Sequence, residues 1–424
     1  MDFSKLAQDV LAFAGEEGLL TEDLGQLEEG LRDLLSRLGT EALQMHMDQQ
    51  RQLGYEGSSR ACACGGDMRF VGYRTRHLET LFGLLSVRRA YYHCAKCHSG
   101  QLAYDQKQGW GTRCLSVPLA KVAVSLSQAM PFREAAQQLQ TVLGRRLSPN
   151  TINRITREVG RAADEMEEEA AEQVQTNRHD LPAASVGRLY VEADGAMVHR
   201  LDGWHEVKAL ICRHQDARGA WHSRHLCRNE EVERFATLAW ACMHVCGLEN
   251  ARESVLLGDG IPWIWNHLGP IADDATQIVD WYHAKEHLFA AAKALYGEGT
   301  QRCGEFAGAL ETLLWNSEMD ELLLKLKEEH RRLRSKSKRA SIEELTGYLE
   351  RHRSRMDYKR YRERGLDIGS GAIEGDCKNL IHARMKRGSP RWSDQGCQSM
   401  LSLRCCYANG EQKTLWNRKP LLAA

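Results

Sequence analysis

Two aspartates in this chain follow short apolar runs, a pattern typical of a site at the edge of a parallel sheet. Residues 255–257 form a run too short for a helix, and Asp259 follows two positions later. Residues 278–279 form a second short run, and Asp280 follows directly. Buried parallel strands are continuously apolar, and ligands bind outside their carboxyl ends. The sequence therefore predicts that both aspartates lie at one edge of a parallel sheet.

Two further acids extend this candidate site. Asp194 ends a strand predicted over residues 188–194, and Glu374 begins a helix after a Gly-Ser-Gly sequence. Mg²⁺ and Mn²⁺ prefer oxygen ligands, and in two-metal sites carboxylates hold two such ions for phosphodiester chemistry. We expect Asp194, Asp259 and Glu374 to bind two Mg²⁺ or Mn²⁺ ions. Taken singly, each acid is also typical of a helix cap or a turn.

The elements around these acids predict a ribonuclease H-like α/β core with a helical insertion. Further strands are predicted over 205–212, 221–227, 254–259 and 275–280, with helices over 230–246 and 262–268. Three strands, a helix, a strand, a helix and a strand, in this order, are the ribonuclease H-like arrangement. The core begins at 187–281, a basic helical insertion covers 282–366, and residues 367–410 complete the core with Glu374.

Two cysteine pairs predict a zinc-ribbon-like hairpin over residues 58–105. The four candidate ligands are Cys62, Cys64, Cys94 and Cys97. Strands predicted over 68–78 and 85–93 separate the pairs, and four thiolates can hold one structural zinc ion in a tetrahedron. The first pair is C-x-C, which turns less readily around one ion than C-x-x-C. His93 or His98 could therefore replace a cysteine, or the four thiols could remain without metal.

A helical segment over 115–180 contains a helix-turn-helix pattern. Helices are predicted over 118–129, 132–143 and 148–160, followed by an acidic linker helix over 165–175. Ser148 and Pro149 form a typical helix start. The exposed face of the third helix carries Asn150, Asn153, Arg154 and Arg157. In the helix-turn-helix interpretation, this face contacts the major groove of DNA, although helical hairpins that do not bind DNA have the same pattern.

The net charge is 0, but charge is unevenly distributed. Residues 1–50 form an acidic, amphipathic helical segment that we expect to break near residues 15–22 and again at Gly39. Residues 325–364 carry 15 basic and 7 acidic side chains. A basic face after Glu374 contains Lys378, Arg384, Lys386 and Arg387. Basic side chains beside a metal site can neutralise DNA phosphates, although such a face is also typical of an ordinary solvated helix.

Length and composition indicate a multidomain α+β protein. The chain has 424 residues, enough for two to four domains, and 14 cysteines with mostly irregular spacing. The N-terminus has neither a basic segment nor a long apolar one, and about 18 consecutive apolar residues occur nowhere. We therefore expect a cytoplasmic protein with no membrane partner, associated with the nucleoid if it binds DNA.

Four sequence strings resemble the transposases of bacterial insertion sequences in the ISKra group, distant relatives of the Mutator-like DDE transposases. The strings are YVEADGAMV, LLGDGIPWIWNHLG, QIVDWYHAKEHL and GSGAIEGDCKNLIHARMKRGSPRW. The resemblance implies that Asp194, Asp259 and Glu374 are a DDE triad and that Asp280 and His283 form a D-x-x-H motif beside it. It also implies double-stranded DNA, both transposon ends and target, as the substrate. Because two ends must be held together, we expect a homodimer or a higher oligomer, formed through residues 2–50.

Two other functions remain possible from the residues alone. The sequence H-x-x-E-H at His283, Glu286 and His287 is typical of an inverted zinc-peptidase motif, in which two histidines bind zinc and the glutamate acts as base. A zinc ribbon and a helix-turn-helix are sufficient for a DNA-binding regulator that does not cut DNA. The DDE interpretation accounts for more of the motifs than either alternative.

Overall fold

The computed structural model describes residues 3–50, 53–108, 114–176 and 186–418, and it has mixed α+β structure with two sheets. The chain divides into two compact units, one of residues 1–162 with 413–424 and one of residues 163–412. Residues 177–180, the end of the segment predicted over 115–180, lie outside the described part. None of the described helices combines the length and the hydropathy needed to cross a membrane.

The first unit begins with two helices, α1 (Phe3–Glu16) and α2 (Leu24–Gln49). The predicted break between them is present, and Asp23 caps α2 by accepting a hydrogen bond from the Gln26 N–H. The second predicted break, at Gly39, is wrong, because α2 continues through this residue. A Cβ at Gly39 would lie 2.4 Å from the Phe82 ring, so this glycine provides space for a packed aromatic side chain rather than a turn.

A four-stranded antiparallel sheet follows, in the order β1-β2-β3-β4. Its strands are β1 (Ser59–Ala61), β2 (Asp67–Glu79), β3 (Leu84–Cys94) and β4 (Gly100–Leu102). The bounds of β2 and β3 agree with the predicted hairpin to within one residue, because alternating burial and the turn between them are visible in the sequence. The short strands β1 and β4 carry no such signal.

Three helices pack around Ala123, Ala135 and Ile152 in the first unit. After the short α3 (Ala103–Gln108) come α4 (Val117–Ala129), α5 (Phe132–Leu143) and α6 (Pro149–Gln175). Gly144 ends α5 in a left-handed conformation with φ of 65°. The helix and the separate linker helix predicted after Ser148 are one continuous helix, because no proline or glycine cap interrupts residues 161–164.

The second unit contains a five-stranded sheet in the order β7-β6-β5-β8-β9. Its strands are β5 (Arg188–Arg200), β6 (Gly203–Gln215), β7 (Trp221–Arg228), β8 (Glu253–Gly258) and β9 (Thr276–Val279). The first three are antiparallel neighbours, and β8 and β9 run parallel to β5. Helix α7 (Val232–Val245) and a π-helical turn (Ile264–Leu268) connect the strands.

Strand β5 does not end at Asp194, as the sequence predicted. It continues for six residues, to Arg200, in a long hairpin with β6. The parallel pairing with β8 stops at Ala193, so Asp194 is the first residue of β5 beyond the parallel part of the sheet. The second half of β5 pairs with β6 alone, and this antiparallel pairing extends the strand beyond its predicted end.

Helices follow the sheet in the second unit. The segment predicted as an insertion contains α8 (Trp281–Tyr296), α9 (Gln301–Trp315), α10 (Met319–Arg332), α11 (Lys336–His352) and α12 (Tyr358–Glu363). Then come α13 (Gly371–Asp376), a π-helical turn (Cys377–His382), α14 (Ala383–Met385) and α15 (Asp394–Ala408). The last described helix, α16 (Gln412–Trp416), belongs to the first unit except for its first residue. Buried side chains of the sheet and of α8 to α12 form one continuous apolar core.

A fully buried arginine organises polar contacts beside this core. Arg228 on β7 donates hydrogen bonds to four carboxylates within 3.1 Å, those of Asp164, Glu167, Glu168 and Glu230. Burial raises the pKa of Glu167 to about 7, against the opposing charge of Arg228. Removal of the arginine would leave Asp164, Glu167 and Glu230 close together without their shared cation, whereas Glu168 also pairs with Arg234.

We expect Arg228→Ala to lower the free energy of unfolding by about 3–5 kcal/mol, because it breaks a buried ion-pair network on one side only. Urea unfolding monitored by circular dichroism measures this loss. Arg353→Ala is the matched control, since Arg353 pairs with Asp320 on the exposed surface and should cost less than about 1 kcal/mol. Equal losses for the two variants would contradict the role assigned to Arg228.

Candidate functional site

Strand register places three aspartates in one row at the edge of the five-stranded sheet. The pairing of β5 with β8 ends at Ala193 and Gly258, so Asp194 and Asp259 are the next residues on neighbouring strands. The pairing of β8 with β9 ends at Gly258 and Val279, and Asp280 follows. Neighbouring strands are about 4.8 Å apart. Backbone hydrogen bonds therefore bring Asp194 and Asp259 side by side, although these residues are 65 positions apart in the sequence.

The carboxylate of Asp259 lies in a confined and acidic environment. Its pKa is raised to about 6, mainly by burial, with contributions from the charges of Asp194 and Glu206. The Ile261 N–H donates to Oδ1 at 2.9 Å, and the Nε2 atom of His283 lies 4.0 Å from Oδ2. A carboxylate whose pKa is raised by burial and by neighbouring acids is a physical indication of a cation-binding or catalytic site.

Glu206 is a fourth acid that the sequence analysis missed. It lies on β6 opposite Met197 in the hairpin with β5. A Cβ at Gly195 would meet the Glu206 Oε1 atom at 2.4 Å, so the glycine after Asp194 lets this carboxylate approach. Only the register of β5 against β6 reveals this proximity, and register is not visible in the sequence.

Asp280 links the sheet to the segment that carries Glu374. As the N-cap of α8, its Oδ1 atom accepts a hydrogen bond from the His283 N–H at 2.7 Å. Its Oδ2 atom accepts one from the Ser370 N–H at 2.5 Å. The side chain is buried, and both of its oxygens are engaged by backbone donors. Asp280 therefore positions neighbouring elements rather than offering a free carboxylate.

Glu192 provides a second link to α13. This completely buried acid on β5 accepts hydrogen bonds from the Ile373 N–H at 3.2 Å and from the Arg213 Nε–H at 2.6 Å. Arg213 also donates to Asp367 at 2.6 Å. Burial raises the pKa of Glu192, and the guanidinium of Arg213 opposes this effect. The sequence marked the neighbouring Asp194 but gave no signal for Glu192, whose partners come from distant segments.

Glu374 projects from α13 on the same side as Cys377, one helical turn later. The Cys377 thiol donates to the Asp194 Oδ2 atom at 3.5 Å, and burial, followed by the charge of Asp194, raises the pKa of this thiol. The side chain of Glu374 is 47% exposed, and its Oε2 atom lies 3.4 Å from the Lys378 Nζ atom. Cys377 thus lies beside Asp194, with Glu374 at the outer side.

The three predicted metal ligands do not form a group as tight as the cysteines do. Among the residues that the structure describes, two cysteine clusters are the groups whose ligand atoms all lie within 4.8 Å of one another. Asp194 and Asp259 are neighbours, whereas Glu374 is directed toward Lys378.

Helix α11 packs against the turn that contains Asp259. A Cβ at Gly260 would lie 2.4 Å from the Tyr348 ring, and His287 stacks on the same ring with centroids 4.0 Å apart. Burial lowers the pKa of His352, on the next turn of α11, to about 4. His287, a residue of the H-x-x-E-H sequence, is therefore engaged with Tyr348, while its ring centre lies 5.9 Å from that of His283. Among the described residues, these histidines belong to no group of three converging metal ligands.

The basic residues predicted to bind DNA differ in exposure. Lys378, Lys386 and Arg387 are on the surface. The prediction for Arg384 is wrong, because this side chain is only 2% exposed and its guanidinium lies 4.9 Å from the centre of the Trp392 ring. Trp392, eight residues later, covers Arg384. The spacing of basic residues in the sequence does not indicate this contact.

The start of α6 presents a polar face in the first unit. Asn150, Arg154 and Arg157 are exposed, and Asn153 is half-buried. The opposite face is buried through Ile152, Ile155 and Val159. Ser148 caps the helix by accepting a hydrogen bond from the Thr151 N–H at 3.0 Å. The four predicted residues thus lie along the outer side of a helix whose other side packs on α4 and α5.

Four cysteines in the first unit form a cluster that could hold a metal ion such as zinc: Cys62, Cys64, Cys94 and Cys97. The sulfurs of Cys62 and Cys97 are 3.6 Å apart, and those of Cys64 and Cys94 are 3.7 Å apart. Tetrahedral zinc with Zn–S bonds of about 2.3 Å requires sulfurs about 3.8 Å apart, so the spacing fits.

A tight turn explains how the C-x-C pair joins this cluster. The Cys62 N–H donates to the Gly66 carbonyl at 2.8 Å, and the Gly65 N–H donates to the Cys62 carbonyl at 3.0 Å. Gly65 has φ of 75°, which a residue with a side chain rarely adopts. Hydrogen bonds from Ser99 lower the pKa of Cys97 to about 6. His93 and His98, the alternative ligands, are not part of the group.

Comparison with known proteins identifies a family. A family model described as Uncharacterised protein family (UPF0236) matches residues 16–419. Two similar relatives come from Caldanaerobacter subterraneus subsp. tengcongensis. One is 23% identical over 98% of this chain and 86% of its own length, and its printed name, a UPF0236 protein, joins eleven locus designations from TTE0033 to TTE2212. The other, UPF0236 protein TTE2489, is 24% identical over 94% of this chain and 82% of its own length.

We expect Gly260→Ala to lower the free energy of unfolding by about 1–3 kcal/mol, because the new methyl group overlaps the Tyr348 ring. Gly308→Ala on α9 is the matched control, since no other heavy atom lies within 4 Å of its Cβ position. Urea denaturation measures both. The cost of Gly260→Ala should largely disappear when Tyr348 is replaced by alanine, and a cost that persists there would refute the steric explanation.

We expect Cys94→Ser to reduce the zinc content of the purified protein by one ion per chain, because it removes one of four converging thiolates. Elemental analysis measures the ratio of zinc to protein. Cys114→Ser, which changes an exposed cysteine outside the cluster, should retain the full content. The same zinc content in both variants would rule out a metal at this cluster.

Proposed function

We propose that this chain, which belongs to the uncharacterised protein family UPF0236, is a DNA transposase that cuts and joins DNA through Asp194, Asp259 and Glu374. The observation that carries the proposal is the register of β5 and β8, which puts Asp194 beside Asp259. Asp280 and Glu192 then hold the helix of Glu374 against the same edge of the sheet.

The sheet order supports the proposal. The second sheet has three antiparallel strands followed by two parallel ones, in the order β7-β6-β5-β8-β9. This order is consistent with a ribonuclease H-like core, which we propose for this unit. In this arrangement, acids after the first and fourth strands and an acid on a later helix approach one another. Residues 281–366, between the last strand and the Glu374 segment, would then be the helical insertion implied by the resemblance to ISKra-group transposases.

The chemistry of the acids fits divalent metal ions. Asp194, Asp259, Glu206 and Glu374 offer hard oxygen ligands. Burial, together with the charges of Asp194 and Glu206, raises the pKa of Asp259. Mg²⁺ or Mn²⁺ bound there would favour deprotonation of the attacking oxygen and stabilise charge on the leaving oxygen. His283, 4.0 Å from Asp259, is exposed enough to contact a phosphate of the scissile strand. Cys377 holds the Asp194 Oδ2 atom.

The DNA contacts in this proposal come from several surfaces. In the first unit, α5 and α6 would form a helix-turn-helix that presents Asn150 and Arg154 to the major groove. The cysteine cluster would bind zinc and fix its hairpin. In the second unit, Lys378, 3.4 Å from Glu374, and the exposed Lys386 and Arg387 would contact phosphates.

Two further observations are consistent with a transposase. The name of one relative joins eleven locus designations in a single strain, as expected for a gene carried by an element that inserts copies of itself. Helices α1 and α2 also expose large apolar side chains, among them Phe3, Leu6, Leu24, Leu35 and Met45. Covering these side chains in a dimer would bring two DNA ends together, and we propose that residues 3–50 mediate this association.

A DNA-binding regulator is the second candidate, because the first unit alone contains the cysteine cluster and the helical hairpin that such a protein needs. The two candidates differ in whether the protein cuts DNA. A zinc peptidase has less support, since His287 is stacked on Tyr348.

We expect the full-length protein to nick plasmid DNA that carries the sequences flanking its own gene, in the presence of Mg²⁺ or Mn²⁺. Asp259→Asn and Glu374→Gln should each reduce nicking by at least about 100-fold, because each removes a charge next to the reacting phosphate. Agarose-gel assays measure nicking, and gel-shift assays on the same DNA should show unchanged binding.

Glu343→Gln, which changes an exposed acid on α11, is the control and should retain nicking. Nicking that persists in Asp259→Asn would refute the assignment of the site. Binding without any nicking by the unaltered protein would instead favour the regulator.

A further inference from the structure

We propose that Cys212, Cys242 and Cys246 form a buried three-sulfur site for a soft monovalent metal ion, Cu(I). The sulfurs of these residues all lie within 4.8 Å of one another. They are in the second unit, and none of them belongs to the proposed carboxylate site or to the four-cysteine cluster.

The three cysteines converge from two elements. Cys212 lies near the end of β6, where it pairs with Val191 on β5 and Arg224 on β7. Cys242 and Cys246 are four residues apart at the end of α7, so they occupy the same face one turn apart. Strand and helix thus present their sulfurs to a common point inside the packed layer between sheet and helix.

Buried cysteines are common, and most of them act as small apolar side chains. Cys303 and Cys397 in this chain are examples of buried cysteines outside either cluster. The group around Cys212 differs because three sulfurs meet beside a cation. Arg224 is this cation, and it pairs with Cys212 across β6 and β7. A positive charge beside converging sulfurs suits a site that binds metal through thiolates.

The number and type of ligands select the metal. Among the residues that the structure describes, no histidine, carboxylate or fourth cysteine completes the group. Structural zinc is almost always four-coordinate, as the first cluster would allow, whereas soft thiolates without a fourth ligand favour Cu(I). Binding displaces protons from the thiols that are still protonated and involves no change of oxidation state. The guanidinium of Arg224, which also pairs with Glu411 at 2.8 Å, offsets part of the negative charge.

A small cavity lies next to Cys242. Its volume is about 30 Å³, comparable to one water molecule, and its lining includes Arg224, Leu238, Cys242 and Val245. Polar side chains of His225 and Asn409 also line it. Cys242 lines this cavity, so the proposed ion has space beside one of its ligands.

The test is a titration of the reduced, full-length protein with Cu(I) under anaerobic conditions against a competing chelator. Because the four-cysteine cluster also offers thiolates, the comparison is made in a Cys94→Ser background. We expect this background protein, and the same protein with Cys303→Ser, to bind one more Cu(I) than the protein with Cys242→Ser. X-ray absorption of the bound copper should show three sulfur neighbours.

Circular dichroism checks that each variant is folded. Cys246→Ser, at a half-buried position, serves as a second variant if Cys242→Ser does not fold. Equal copper binding with and without these cysteines would overturn the proposal. Preferential uptake of zinc with an additional oxygen neighbour, or loss of two thiols to a disulfide in place of metal binding, would overturn the assignment of Cu(I).

Discussion

Backbone hydrogen bonding between β5, β8 and β9 determines where the three aspartates of the candidate site lie. The two parallel pairings end at Ala193, Gly258 and Val279, so the following aspartates form one row. A shift of one residue in this register would turn each aspartate toward the other face of the sheet. The apolar residues of β8 are completely buried between layers of helix, and this burial maintains the register.

The row is connected to Glu374 through two buried acids rather than through the sheet itself. Asp280 and Glu192 accept hydrogen bonds from the N–H groups of Ser370 and Ile373, at the start of α13. A carboxylate bound by backbone donors is a strong and directional contact. The candidate site therefore contains two kinds of acids, those that fix the backbone and those that remain available to a ligand. Sequence motifs do not distinguish between these two kinds. Asp280, the aspartate of the D-x-x-H motif, fixes the backbone although its motif suggests a role in the active site.

Much of this architecture could be predicted from local sequence patterns. Short apolar runs located β8 and β9, and alternation located the hairpin of β2 and β3, because each pattern depends on burial within a few residues. The errors involve contacts between distant segments. Gly39 provides space for Phe82, Arg384 is covered by Trp392, and Glu206 reaches the site through the register of β5 and β6. No local pattern records these partners.

The contact between α11 and the turn of Asp259 has a thermodynamic consequence. Tyr348 on α11 fills the space above Gly260, next to Asp259. A movement of this helix would therefore change the environment of the Asp259 carboxylate. The same helix exposes basic side chains such as Lys336 and Arg339. A polyanion that binds them and shifts α11 must also alter the affinity of Asp259 for protons and cations, and linkage requires that the reverse effect is equally large. The sequence suggests that these helices are only an insertion. Through Tyr348, however, α11 forms part of the surroundings of Asp259.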